Sequence, residues 1–205
     1  MAALAVGAIL AGGVALAWPD GGGRKLHSWR GGKGPLWGGS MTFVGIAVET
    51  GQPFTYGAAH VSNLTDETAV LEAVRVRPPL PDGLEIVGIG ATGPNRKVIT
   101  VNATPEYPDP DTKDALHALP GTEVPPAATK AGKAGIDLVF GLKVTKPGFF
   151  GFAQIDLDYR VGDKPYTVRL DHGVYACPPA SAYPEGCQGQ AFMETLQREA
   201  GIKVR

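Results

Sequence analysis

Between Ile136 and Cys177 the chain alternates side-chain character with a period of two, interrupted by two tight turns. Ile136, Leu138, Phe140, Leu142 and Val144 alternate with Asp137, Val139, Gly141 and Lys143. A period of two sends successive side chains to opposite faces of an extended chain, whereas a helix needs a period near 3.6. Lys146-Pro147-Gly148 and Gly162-Asp163 carry the residues that tight turns require. The stretch therefore reads as three strands, 136–145, 149–161 and 164–177, expected to pair in sequence as a meander.

The second turn fixes a register. Gly162-Asp163 is a two-residue loop of the Gly-X kind, which favours a II′ turn and pairs Val161 with Lys164. Tyr159 then faces Tyr166, Leu157 faces Val168 and Ile155 faces Leu170, all apolar and all on one face. The other face receives Asp158 with Thr167, Asp156 with Arg169, and Gln154 with Asp171. A slip of one residue would oppose Leu157 to Arg169 and spoil both sets. The expectation is a core of Ile155, Leu157, Val168 and Leu170, with Asp156 and Arg169 as a solvated cross-strand pair.

The upstream sequence supplies further strands at 41–49, 54–63, 68–76, 84–91 and 97–102, with 54–63 and 68–76 expected as a pair around Leu64-Thr65-Asp66-Glu67 and 84–91 and 97–102 as a pair around Thr92-Gly93-Pro94-Asn95. The 29 glycines and 18 prolines among 205 residues fit many short strands and turns. Residues 102–135 read as a Pro-rich irregular excursion with one helical turn at 112–119. Near the end, 190–200 reads as a short helix. Phe192, Leu196 and Ala200 share a face, Glu194 and Arg198 are placed for an i,i+4 pair, and Gly201 stands where a helix-ending glycine belongs.

Ala2 to Ala17 carries no charge but is shorter than the roughly 20 residues of a full span. Two readings stay open. Ala15-Leu16-Ala17 is a signal-peptidase pattern, so the segment is cleaved before Trp18, or it remains as an anchor with Trp18 at the membrane interface. Arg24 and Lys25, in the Gly-rich spacer that follows, are placed to meet anionic headgroups beside Trp18. The basic residues follow the apolar run instead of preceding it, which by the positive-inside rule opposes export. The organisation expected is 1–18 signal peptide or anchor, 19–40 spacer, 41–188 a β domain, and 189–205 a helix and tail.

Cys177 and Cys187 are the two cysteines, in the Pro/Gly loop CPPASAYPEGC. A close pair in such a loop reads as a disulfide in an exported domain. A formal net charge of −1 gives no sign of a nucleic-acid partner. No nucleophile elbow, phosphate loop or zinc-protease motif is present. Asp156 and Asp158 share a strand face and could act as paired carboxylates, but Arg169 opposite makes a structural pair the better reading. His27, His60, His117 and His172 are not at ligand spacing from one another, and His172 reads as a hydrogen-bonded structural residue. Glu106, Asp109, Asp111 and Asp114 read as a solvated acidic loop, not a calcium loop. Asn63-Leu64-Thr65 and Asn102-Ala103-Thr104 match the glycosylation sequon. No cofactor or metal is expected.

With an apolar start, a Gly-rich spacer, strands, and a late hairpin running through Tyr159, Arg160, Val161, Gly162 and Tyr166 to Cys177, the chain resembles small exported or membrane-tethered bacterial proteins of uncharacterised function with an immunoglobulin-like sandwich. The resemblance implies an all-β, immunoglobulin-like antiparallel β-sandwich with an N-terminal apolar helix and a short C-terminal helix. Antibody-type membership is excluded, because the cysteines lie ten apart and no Trp follows Trp37. The function expected is a non-catalytic binding or interaction module of the cell envelope, tethered to the membrane or secreted. An accessory subunit of a membrane complex, with Gly12-Gly13 permitting close helix contact, and an enzyme of unknown class are the alternatives.

Overall fold

A computed structural model describes residues 27–30, 34–39, 41–93 and 103–203. The expected N-terminal helix, Trp18, Arg24, Lys25 and the strand at 97–102 lie outside the described residues. In chain order the strands are β1 (His27–Arg30), β2 (Leu36–Trp37), β3 (Thr42–Ala47), β4 (Pro53–Asn63), β5 (Ala69–Arg77), β6 (Leu84–Thr92), β7 (Ala103–Thr104), β8 (Leu116–Ala118) and β9 (Glu123–Val124). After α1 (Lys130–Ala134) come β10 (Ile136–Val144), β11 (Phe150–Phe152), β12 (Gln154–Val161), β13 (Lys164–Leu170) and β14 (His172–Cys177), and then α2 (Gln190–Glu199).

The architecture is all-β and mostly antiparallel. One sheet runs β1-β13-β12-β5-β9, a second β2-β4-β10-β6-β8 with β7 also on β4, and a third β11-β14-β3. The core lies where the inner faces of the two larger sheets meet. Leu71, Ile155, Leu157, Tyr159 and Val168 come from one, and Phe54, Tyr56, Leu138, Phe140 and Leu142 from the other. Phe152 closes one end, with its ring 5.5 Å from Phe140 and 5.9 Å from Tyr56. A hydrogen bond crosses between the layers, from the Leu36 amide to the Tyr159 hydroxyl at 3.3 Å.

The hairpin register is as expected. Val161 pairs with Lys164, Tyr159 with Tyr166, Leu157 with Val168, Asp156 with Arg169 and Ile155 with Leu170. Gly162 has φ +55 and Asp163 does not have a positive φ, which is the pattern of a II′ turn. Ile155, Leu157, Val168 and Leu170 are all buried.

Five expectations are corrected. First, the meander breaks at Lys146-Pro147-Gly148: β10 pairs with β4 and β6, not with β12. That turn passes the chain between sheets. Second, 149–161 and 164–177 are not single strands. Each leaves the five-stranded sheet at Ala153 or Asp171, and β11 and β14 then pair with each other in the third sheet. Corners of this kind are made where strands switch sheets. Third, two pairings are parallel, β1 with β13 and β3 with β14. Fourth, the excursion is not irregular. It contributes β7, β8 and β9 to sheet edges, and the helical turn shrinks to a 3₁₀ turn at Lys113–Ala115 before β8. Fifth, 54–63 and 68–76 do not pair with each other: β4 lies against β2, β10 and β7, and β5 against β12 and β9, in different sheets, while β6 pairs with β10 and β8.

Helix α2 buries Met193 and Leu196, with Phe192 and Ala200 partly covered. It ends as expected. Gly201 takes φ +76, its amide donates to Arg198 O at 3.0 Å, and Ile202 N donates to Gln197 O at 2.8 Å, which together satisfy the last carbonyls. The Glu194–Arg198 pair is not formed: Glu194 accepts from Gln190 and Arg198 donates to Thr195.

Candidate functional site

The outer face of the six-stranded sheet carries a line of polar side chains that spacing in the sequence does not reveal. β4 lies antiparallel to β10, with His60 opposite Asp137. The Nδ1 of His60 is 3.0 Å from Asp137 Oδ1, and Ser62 Oγ is 3.3 Å from His60 Nε2. Asp137 is fully buried, while the His60 side chain keeps 26% of its surface. A carboxylate only accepts, so the ring donates from Nδ1, and in its neutral form it then presents the lone pair of Nε2 to the Ser62 hydroxyl. The result is a serine, histidine, aspartate chain of hydrogen bonds running from the surface inward.

A bulge puts His60 there. Strict alternation along β4 would place His60 on the same face as Phe54 and Tyr56, which point into the core. The register shifts between Leu138 and Val139, so Ala58 is passed over and Ala59 and Val61 become the inward residues. From there His60 and Ser62 face outward with Asp137. An extra residue in one strand re-aims every side chain beyond it.

The surroundings hold the ring. Asp137 N donates to Thr92 Oγ1 at 3.2 Å. Gly135, at the end of α1, has φ +61 and ψ −167, a region open essentially to glycine. A Cβ on Gly135 would come within 2.6 Å of His60 Cε1, so the bare backbone there is what lets the ring lie against it. Trp37 pairs with Ser62 and is 40% exposed, which places an apolar surface beside the hydroxyl.

Cys177 and Cys187 are joined, with their Cα atoms 5.8 Å apart. Closing so short a loop contributes about 2–3 kcal/mol in the chain-entropy model. The loop is also pinned to β14, because Tyr175 Oη donates to Cys187 O at 2.9 Å.

Asp156 and Asp158 do share the outer face of β12, but the expected solvated pair is wrong. Asp156 is 2% exposed and clamped from both neighbouring strands. Arg169 Nε donates to one oxygen at 2.7 Å, and Arg77 Nε donates to the other at 2.6 Å. Burial raises the Asp156 pKa, but the hydrogen bonds from Arg169 and Arg77 outweigh it and hold the carboxyl below the usual range. Asp158 is held by a two-pronged Arg75 and by Thr167 Oγ1 at 2.6 Å. Gln154 donates to Asp171 at 2.6 Å, completing the ladder. Asp156 and Asp158 are covered by their arginines, while Asp171 is exposed.

His172 is structural, as expected. It is buried, and its Nε2 donates to Gly38 O at 2.7 Å. Burial pushes its pKa down, against the opposing effects of that bond and of Asp171. The acidic loop is not wholly solvated, since Asp109 is buried and its side chain accepts from Asp111 N at 2.9 Å, capping its own turn. The sequon at Asn63 lies on a buried side chain whose amide donates to Glu67 O and Val124 O, which leaves no nitrogen for a glycan. Asn102 lies outside the described residues. Among the described residues no helix is long and apolar enough to cross a membrane.

No family model matches the chain, and no curated protein matches it. Among solved structures it is similar to the VesB protease of Vibrio cholerae, at a TM-score of 0.34 and 8% identity. That likeness covers 70% of this chain and 32% of the protease, so the chain spans about a third of that protein's length. A likeness of this degree bears on neither activity nor family.

Proposed function

We propose that the chain is an immunoglobulin-like module of the bacterial cell envelope, exported or held at the membrane by its N-terminal segment, and that it acts by binding an envelope ligand or protein. The Cys177–Cys187 disulfide carries this reading, because such bonds persist in oxidising compartments. Trp18, Arg24 and Lys25 are the residues assigned to the membrane interface, and the balanced charge argues against nucleic acid. Service as an accessory subunit of a membrane complex is the alternative, and a pull-down from membranes separates the two.

The test is fractionation of the native host with maleimide labelling of unreduced protein. The expected result is a chain in the membrane or extracytoplasmic fraction with no reactive thiol. A cytoplasmic chain with two reactive thiols would overturn the reading. A second reading, an enzyme, is favoured by one observation, the Ser62–His60–Asp137 chain of hydrogen bonds.

A further inference from the structure

We infer that Ser62, His60 and Asp137 form a nucleophilic site that hydrolyses small carboxylic esters; this rests on the second reading above. The parts have the order that activates a hydroxyl: a buried carboxylate on Nδ1, a part-exposed imidazole, and a serine on Nε2 at 3.3 Å. Ser62 and His60 are the catalytic residues. Asp137 is a positioning residue, fixing the tautomer and orientation of the ring from a strand it does not share with them.

The reaction balances without any further reagent. Ser62 Oγ attacks the carbonyl carbon of the ester as its proton passes to His60 Nε2. The C–O bond to the alcohol breaks, and the departing alkoxide takes that proton from Nε2. Water then attacks the acyl-serine, giving its proton to Nε2, and the acid leaves as Ser62 recovers the proton. Ester and water become acid and alcohol, and the site is restored.

Position sets the substrate class. Ser62 stands on the face of a sheet instead of at the base of a cleft, so a long or folded substrate gains no grip. Trp37, opposite Ser62 and part-exposed, offers one apolar wall for a short acyl or aryl group. Amides need their leaving nitrogen protonated and their oxyanion held by preorganised donors, and esters with a good leaving group depend far less on both.

The experiment treats the full chain with a fluorophosphonate probe and maps the adduct by peptide mass. The expected result is one adduct on Ser62, absent in Ser62→Ala, a change at a surface hydroxyl that leaves the fold intact. His60→Ala is expected to slow labelling by roughly 10²–10⁴-fold, the usual share of a general base. Added imidazole should restore part of the rate in His60→Ala and none in Ser62→Ala, an outcome that a structural role for His60 does not produce. For Asp137→Asn the readout is the ring itself: its nitrogen spectrum should show the proton moved to Nε2 together with the loss of labelling. Folded wild type with no adduct on Ser62, or an adduct formed as fast in His60→Ala, would overturn the inference. Either result would leave the envelope-binding reading standing, since fractionation and thiol state test that separately.

Discussion

Leu157→Ala is expected to destabilise the domain by about 3–5 kcal/mol, read as a shift of the urea midpoint at unchanged slope. Leu157 has no exposed surface and pairs with Val168 on one side and Val74 on the other. It therefore stands in the middle strand of the three on which the core rests. Truncation there removes three carbons' worth of buried surface and leaves a void lined by side chains of both larger sheets. The neighbours cannot close it without moving a strand paired on both edges. As a control, Val87→Ala on a 42% exposed side chain should change stability by no more than about 0.5 kcal/mol.

Asp156→Ala is expected to cost about 2–4 kcal/mol, although its position in the sequence suggests a surface charge. The change strands two guanidinium groups that were joined through one buried carboxylate. Breaking a buried pair costs about 3–5 kcal/mol, and the partial exposure of Arg77 and Arg169 lowers the figure here. The pH dependence follows in sign. The folded-state pKa of Asp156 lies below its unfolded value, so as pH falls the unfolded chain takes up its proton first. The contribution of the clamp is complete above about pH 5 and is lost as pH falls through the folded pKa. Chemical denaturation across that range should show wild type losing more stability on acidification than Asp156→Asn. Parallel curves would show that the clamp is not formed.

The hairpin of β12 and β13 was legible because two independent signals, the turn and the alternation, agreed on one register. The burial of Asp156 was not legible from the same residues. A hairpin names only the partner across its own turn, Arg169, and the second arginine arrives on β5, 79 residues away in sequence. Sequence alternation divides faces into apolar and polar, and it cannot say that a polar face is roofed by its own long side chains. The pairing of β10 failed for a related reason. Lys146-Pro147-Gly148 is a valid turn, but a turn states only that the chain reverses, not that the strands on either side of it share a sheet. The parallel pairs β1/β13 and β3/β14 leave no local mark at all, because parallel partners are joined by no turn.

The candidate site was hidden by two features of this kind. The period of two along Phe54, Tyr56 and His60 assigns His60 to the core, and one skipped residue, Ala58, reverses that. Asp137 was visible as the polar residue beginning a strand, but its partner lies 77 residues earlier. Gly135 is the nearest thing to a signal, a glycine just before a strand where only a bare backbone fits beside the ring.

The arrangement of His60 is tested most directly by the nitrogen spectrum of its ring in the folded protein at neutral or mildly alkaline pH. The Asp137 contact requires the neutral ring to carry its proton on Nδ1, as a slowly exchanging proton coupled to that nitrogen, with Nε2 showing the shift of an unprotonated nitrogen facing the Ser62 hydroxyl. A ring protonated on Nε2, or two tautomers in rapid exchange, would contradict it.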